Sequence, residues 1–155
     1  MRDGGAEYRL LRSTAELHAM APQWSALWRS DSHATPFQTP EWLLPWWRQF
    51  GCDPRAVAIF QNGSLTGLMH FYILDEPENR TCRLMLAGVG TTDYLDGIFA
   101  PSCSPEHVRA GLELLWGEPG WDLFSVTQLR SCSKLLHAAG DARRAPESAV
   151  RRCRQ

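Results

Sequence analysis

The stretch RAVAIFQNGSLTGLMHFYIL, residues 55–74, constrains the fold more than any other part of the chain. Asn62 and Gly63 lie between two β-rich runs. Both residue types tolerate positive φ, so the pair predicts a tight hairpin turn. Val57, Ile59 and Phe60 precede the turn; Leu65, Leu68, Phe71 and Ile73 follow it. Such a hairpin needs apolar cover. The chain has 155 residues, of which 44% are hydrophobic, which is enough for one domain with a core of its own.

Two helices are legible before the hairpin. Ser13 or Thr14 can cap the first, because a hydroxyl accepts from the orphan amides of a first turn. Leu17, Met20, Trp24, Leu27 and Trp28 then recur at spacings of three and four, giving one apolar face. Residues 31–36 read as a loop. In TPEWLLPWWRQFG, Thr39 is the expected cap, Pro40 the first helical residue and Glu41 a first-turn acid. Trp42, Trp46 and Phe50 share a face, with Leu43 and Trp47 beside them, and Gly51 can end the helix. Pro45 removes the bond to the Glu41 carbonyl and is expected to bend it.

Strands are expected over residues 8–12, 83–87, 94–99 and 122–129. Ser104 and Pro105 open a further helix, whose stripe is Val108, Leu112, Leu115 and Trp116 and whose stop is Gly117. A helical turn follows Ser131. The order β-α-α-β-β-β-β-α-β implies an α/β (α+β) fold, a mixed sheet flanked by helices, over residues 1–140. Residues 141–155, DARRAPESAVRRCRQ, are expected to form a disordered basic tail, because they carry too little apolar content to pack.

The formal net charge of −1 provides no field for nucleic acid or an anionic membrane. The opening MRDGGAEYRLL lacks an apolar leader core, and no apolar run reaches membrane-spanning length. Cysteines at 52, 82, 103, 132 and 153 form no C-x-x-C pair, so they read as free thiols of a cytoplasmic protein and not as a zinc site. The sequons at Asn62 and Asn79 read as chance matches.

Chemistry concentrates in TTDYLDGIFAP, residues 91–101. If residues 94–99 form a strand, Asp93 and Asp96 point to opposite faces and cannot flank one bond. One reading places Asp93 on its own loop amides and Asp96 at the strand start. The other has Asp93, Tyr94 and Asp96 lining a pocket at a strand end, as catalytic candidates. Trp42, Trp46 and Trp47 could stack on a sugar ring together with Tyr94, though helical spacing also suits a core. Ser131 and Lys134 match S-x-x-K without its partner motifs, so Ser131 reads as a helix cap. Cys103 and His107 could form a thiol–imidazole couple; capping and surface placement explain them more simply.

PFQTPEWLLPWWRQFG, VAIFQNGSLTGLMHFYI, GVGTTDYLDGIFAP and WDLFSVTQLRSCSKLL occur in that order. On these segments, over residues 8–136, the chain resembles the N-terminal part of the GNAT-like acetyltransferases associated with cellulose and exopolysaccharide biosynthesis. Those proteins are relatives of the Fem-type aminoacyl transferases. The resemblance implies an incomplete GNAT-type sheet, acetyl-CoA or another acyl-CoA as donor, and an amine or hydroxyl of a small-molecule or saccharide acceptor. Such enzymes hold donor and acceptor in line while a base removes the acceptor proton. The acetyltransferase phosphate cradle has Arg or Gln, two residues, then Gly-x-Gly or Gly-x-Ala opening a helix. Here Arg83 stands five residues before Gly88, and a strand is expected after Gly90. Gly88, Gly90 and Thr91 are the nearest cofactor-binding candidates, and a tight turn also accounts for them. Longer family members carry the acyl-CoA site in a C-terminal half. The resemblance therefore implies an N-terminal portion, inactive alone, whose partner is a missing half or a second chain. The alternatives are a non-catalytic module for a glycan or nucleotide-sugar, and a gene fragment without function.

Overall fold

The computed structural model describes residues 2–3, 5–50, 53–91 and 94–140. Two strands, β1 (Arg2–Asp3) and β2 (Ala6–Leu11), lead into helix α1 (Thr14–Ser30). Ser13 caps α1 in a reciprocal box with Glu16. A 3-10 turn (Pro36–Gln38) precedes α2 (Pro40–Phe50). Pro45 lies inside α2, which continues past it to Phe50. The hairpin is formed by β3 (Asp53–Gln61) and β4 (Ser64–Glu76). Asn62 and Gly63 take φ of 50° and 78°, the conformation such a turn demands. Strands β5 (Thr81–Leu86) and β6 (Ile98–Phe99), helix α3 (Pro105–Trp116), β7 (Leu123–Ser125) and α4 (Lys134–Gly140) complete the order.

The sheet runs β1-β2-β3-β4-β5-β7. Its pairs are antiparallel except β5 with β7, which is parallel and comes after the α3 crossover. Alternate hairpin residues face different helical layers. Val57, Ile59, Met69 and Phe71 pack with Val108, Leu112, Leu115 and Leu135 of α3 and α4. Ala56, Ala58, Leu68 and Tyr72 meet Leu17, Trp24, Leu43 and Trp47 of α1 and α2. Small residues on the strand leave room for the indoles, as close packing requires. His70 is enclosed in this second layer, its ring 4.5 Å from that of Trp24 and 6.1 Å from that of Trp47. Neither of its ring nitrogens has a partner, and burial pushes its pKa down to about 3.

One edge of β4 carries two partners in a single line. Phe71 pairs with Leu86, and the Ala87 amide donates to the His70 carbonyl. The line resumes where Leu68 pairs with Ile98 and Gly67 with Phe99. The chain between 87 and 98 leaves the ladder and returns to it.

Several sequence expectations are corrected. The run 94–99 is a strand only at Ile98–Phe99, because a side chain from the α1–α2 connection binds its backbone. The run 122–129 is a strand only over Leu123–Ser125. The helical segment after Ser131 is α4, capped by Ser133 and not Ser131: the Ser133 hydroxyl accepts from the Leu136 amide at 3.0 Å. The thiols are not all free, for Cys82 is disulfide-bonded while Cys103 and Cys132 are free. Among the described residues, no helix is long and apolar enough to cross a membrane. The expected tail, 141–155, lies outside the described residues.

Candidate functional site

A pocket of about 320 Å³ opens where three connections meet. The end of α1 brings Asp31 and His33, the excursion from the β4 edge brings Tyr94 and Asp96, and the segment before α4 brings Arg130 and Ser133. Asp31 is the residue that closes α1. Its carboxylate accepts from the Phe99 amide at 3.0 Å and from the His33 amide at 2.9 Å, tying α1 to the end of β6. Tyr94 takes a left-handed φ of 59° and presents its ring to solvent. The Arg130 guanidinium stacks over that ring at 4.9 Å and donates to the His33 carbonyl at 3.2 Å.

Asp96 is the chemically distinctive group. Its Oδ1 accepts from the Gly97 amide at 2.7 Å. Burial and the nearby negative charge of Asp31 push its pKa up to about 6, against the opposing pull of the Ser133 hydroxyl, the Gly97 amide and Arg130. A carboxyl group poised there takes a proton from a partner near neutral pH far more readily than an ordinary aspartate.

Gly97 sits against side chains that a Cβ would have to displace. A Cβ at this position would stand 2.4 Å from the Phe99 ring and 3.2 Å from Met69. Gly97→Ala is expected to lose about 2 kcal/mol of stability, as overpacked cores do. Urea denaturation checks it, and an unchanged midpoint would show that the ring can move aside.

The other sequence candidates fall as follows. Asp93 lies outside the described residues. Trp46 and Trp47 are 6% and 1% exposed and pack in the α1–α2 layer, so they form no open stacking surface. Trp42 is 41% exposed and packs edge-on against Phe37, away from the residues that line the pocket. Cys103 is buried, with its thiol pushed up to about 11, while His107 contacts Ser104 and Gln61. They make no nucleophilic couple. Lys134 spends its ammonium on the carbonyls of Ala100 and Cys103 at 3.1 and 2.7 Å. Asp31, Gln38, Arg130 and Ser133 were not singled out from sequence, since they stand in separate connections, after α1, before α2 and before α4.

The residues that would have to hold an acyl-CoA pyrophosphate do not fit it. The Thr91 amide and hydroxyl both bond the Gly88 carbonyl, at 3.2 and 3.0 Å, so this turn is closed upon itself. Arg83 is paired with Glu76 at 2.6 Å. The next helix, α3, begins only at Pro105; Ser104 caps its first turn, which also holds Glu106. A proline and a carboxylate at that end disfavour a second anion.

Helices on both faces of a mostly antiparallel sheet, with one parallel pair after a crossover, form a GNAT-like fold. Solved structures carry the same architecture. An aminoglycoside acetyltransferase from an uncultured soil metagenomic sample, solved with trehalose, aligns at a TM-score of 0.54 with 12% identity, over 99% of this chain and 97% of that one. The same enzyme solved with sisomicin aligns at 0.53. A ribosomal-protein-alanine N-acetyltransferase from Brucella melitensis biovar Abortus 2308 aligns at 0.52 with 16% identity, over 87% of this chain and 86% of that one. At these identities the likeness establishes the fold. It also corrects the expectation of an incomplete sheet, since nearly the whole of the first neighbour is matched. No protein-family model and no curated protein matches the chain in sequence.

Proposed function

We propose that the chain is a GNAT-type acyltransferase, with Asp96 receiving the proton of an amine or hydroxyl on a small-molecule or saccharide acceptor. The observation that carries this reading is a half-open pocket holding a carboxyl group whose pKa is raised to about 6, within the fold of known acetyltransferases. Acetyl-CoA or another acyl-CoA is the donor that the fold implies, and it would supply the thioester. The described residues form no cradle for its pyrophosphate, so in this reading the donor site is completed by a further segment or by a second chain.

The chain's own residues have separable tasks. Asp31 and Asp96 give one wall negative charge, which favours a cationic amine over a neutral or anionic acceptor. Tyr94, held by Arg130, offers a flat apolar wall for the acceptor body. Asp96, ionised above about pH 6, accepts the amine proton and leaves the nitrogen lone pair free to attack.

Isothermal titration of the purified chain with amino sugars and simple diamines tests this. Affinity is expected to rise by about tenfold as pH increases from 5 to 7.5, because Asp96 ionises over that interval, and Asp96→Asn should abolish the rise. Titration with acetyl-CoA should give no heat. Absence of amine binding at any pH would end the acceptor reading, and tight acetyl-CoA binding would end the view that the donor site lies elsewhere.

A further inference from the structure

We propose that Gln38 is a positioning residue for Asp96: its buried side-chain amide locks the Asp96–Gly97 peptide and so fixes where the Asp96 carboxylate stands in the pocket. This rests on the acceptor reading above, and it adds a component that touches neither the proton nor the attacking nitrogen.

The geometry leaves little freedom. Gln38 is only 3% exposed. Its Nε2 donates to two successive carbonyls, Asp96 at 3.0 Å and Gly97 at 3.2 Å. Its Oε1 accepts from the Thr35 amide at 2.7 Å and the Thr35 hydroxyl at 3.3 Å. The amide cannot be flipped, since Nε2 faces only acceptors and Oε1 faces an N–H. Its own carbonyl accepts the indole N–H of Trp24 at 2.8 Å, which anchors the 3-10 turn to α1. Every polar atom of the side chain is therefore engaged, and both donors go to the return of the excursion.

The consequence for Asp96 follows from the next bond. Asp96 Oδ1 is held by the Gly97 amide, and the plane of that peptide is set by the Asp96 carbonyl that Gln38 grips, while the bond to the Gly97 carbonyl fixes the next peptide. Without Gln38 the plane turns, the Gly97 amide leaves the carboxylate, and the side chain swings toward water. Two buried carbonyls and the Thr35 amide would then seek other partners. Among the described residues, the charged groups that share the pocket with Asp96 are Asp31 and His33 after α1, Arg130 before α4, and Lys134 at its start. None of them contacts the Asp96–Gly97 carbonyls.

The test is an NMR titration of the Asp96 carboxyl carbon in the wild-type chain and in Gln38→Met, Gln38→Glu and Trp24→Phe. The wild-type midpoint is expected near 6. In Gln38→Met it should fall toward pH 5, by about one pH unit, as the carboxylate gains water. Gln38→Glu keeps the acceptor for the Thr35 amide but loses the double donor and adds a carboxylate beside Asp96, so its midpoint should lie above that of Gln38→Met. Trp24→Phe removes the anchor on the other side of Gln38 and should leave the midpoint in place while lowering stability. An unmoved midpoint in Gln38→Met, or an equal movement in Trp24→Phe, overturns the positioning role. A wild-type midpoint near 4 instead removes Asp96 as proton acceptor, and the acceptor reading falls with it. If neither Gln38 variant folds, exchange of the Gln38 side-chain amide protons in the wild-type chain decides. At least hundredfold slowing against free glutamine supports the lock, and free-amide rates refute it.

Discussion

Asp96→Asn is expected to be more stable than the parent chain by about 3 kcal/mol at pH 7.5. The reasoning starts from burial: the folded chain holds this carboxyl at a pKa of about 6 against an ordinary value of 3.8. A tenfold change in proton affinity between the folded and unfolded chain corresponds to about 1.4 kcal/mol. The sign follows from proton counts. Between pH 3.8 and 6 the folded state binds more protons at Asp96 than the unfolded chain does, so stability present at low pH is lost as pH rises through that window. Above it, the ionised group is a standing cost. Asparagine keeps an acceptor for the Gly97 amide and carries no charge. Urea denaturation at pH 7.5 measures the gain. A variant equal to or weaker than the parent would show that the ionised carboxylate is well solvated in the pocket. Stability gained together with amine binding lost is the signature of a group retained for function.

The second large effect belongs to His70 and has the opposite sign. This imidazole is neutral in the fold, with its pKa pushed down from 6.5 to about 3. Stability is therefore fully present above pH 6.5 and is lost as pH falls toward 3. From pH 6.5 to 4.5 the loss is about 2.7 kcal/mol. Asp96 gains stability over much of the same interval, so the two slopes nearly cancel in the parent chain. Replacing either group exposes the other. His70→Leu, which removes two unpartnered ring nitrogens, is expected to become more stable on acidification from pH 6.5 to 4.5. Asp96→Asn should become less stable by about 2.7 kcal/mol over the same range. Denaturation midpoints at four pH values for the three proteins decide the matter. Parallel curves would show that neither group titrates differently in the folded and unfolded chain.

How much of this was legible follows from the range of each interaction. The β3–β4 hairpin is written in two adjacent residues, Asn62 and Gly63, and α3 in Ser104, Pro105 and Gly117, because turn and cap chemistry act over a few positions. The strand expected over 94–99 failed because a distant side chain, Gln38, takes the backbone carbonyls of Asp96 and Gly97. No local pattern records a bond across that separation. Asp96 could be singled out as a carboxylate beside an apolar run. The Asp31 that raises its pKa and the Ser133 that opposes the rise stand at the ends of α1 and α4, and only folding brings them to it. The tryptophans were ambiguous for a simple reason. Spacing of three and four places Trp46 on a helical face, but only the packed layer shows that Tyr72 lies beneath it, ring to ring at 5.1 Å.

The ladder along the β4 edge closes at Leu86 and Ala87 and reopens at Ile98, so the segment between them is a graft on a finished scaffold. Its two roots are fixed by β4, whatever its length or sequence. Lengthening such a loop carries only the slowly growing entropy of closure. A lineage can therefore exchange the rim of this pocket, Tyr94 included, and try new acceptors while the helices and sheet stay as they are. The limit on that freedom is the Asp96–Gly97 pair, where the graft is stitched to the connection between α1 and α2.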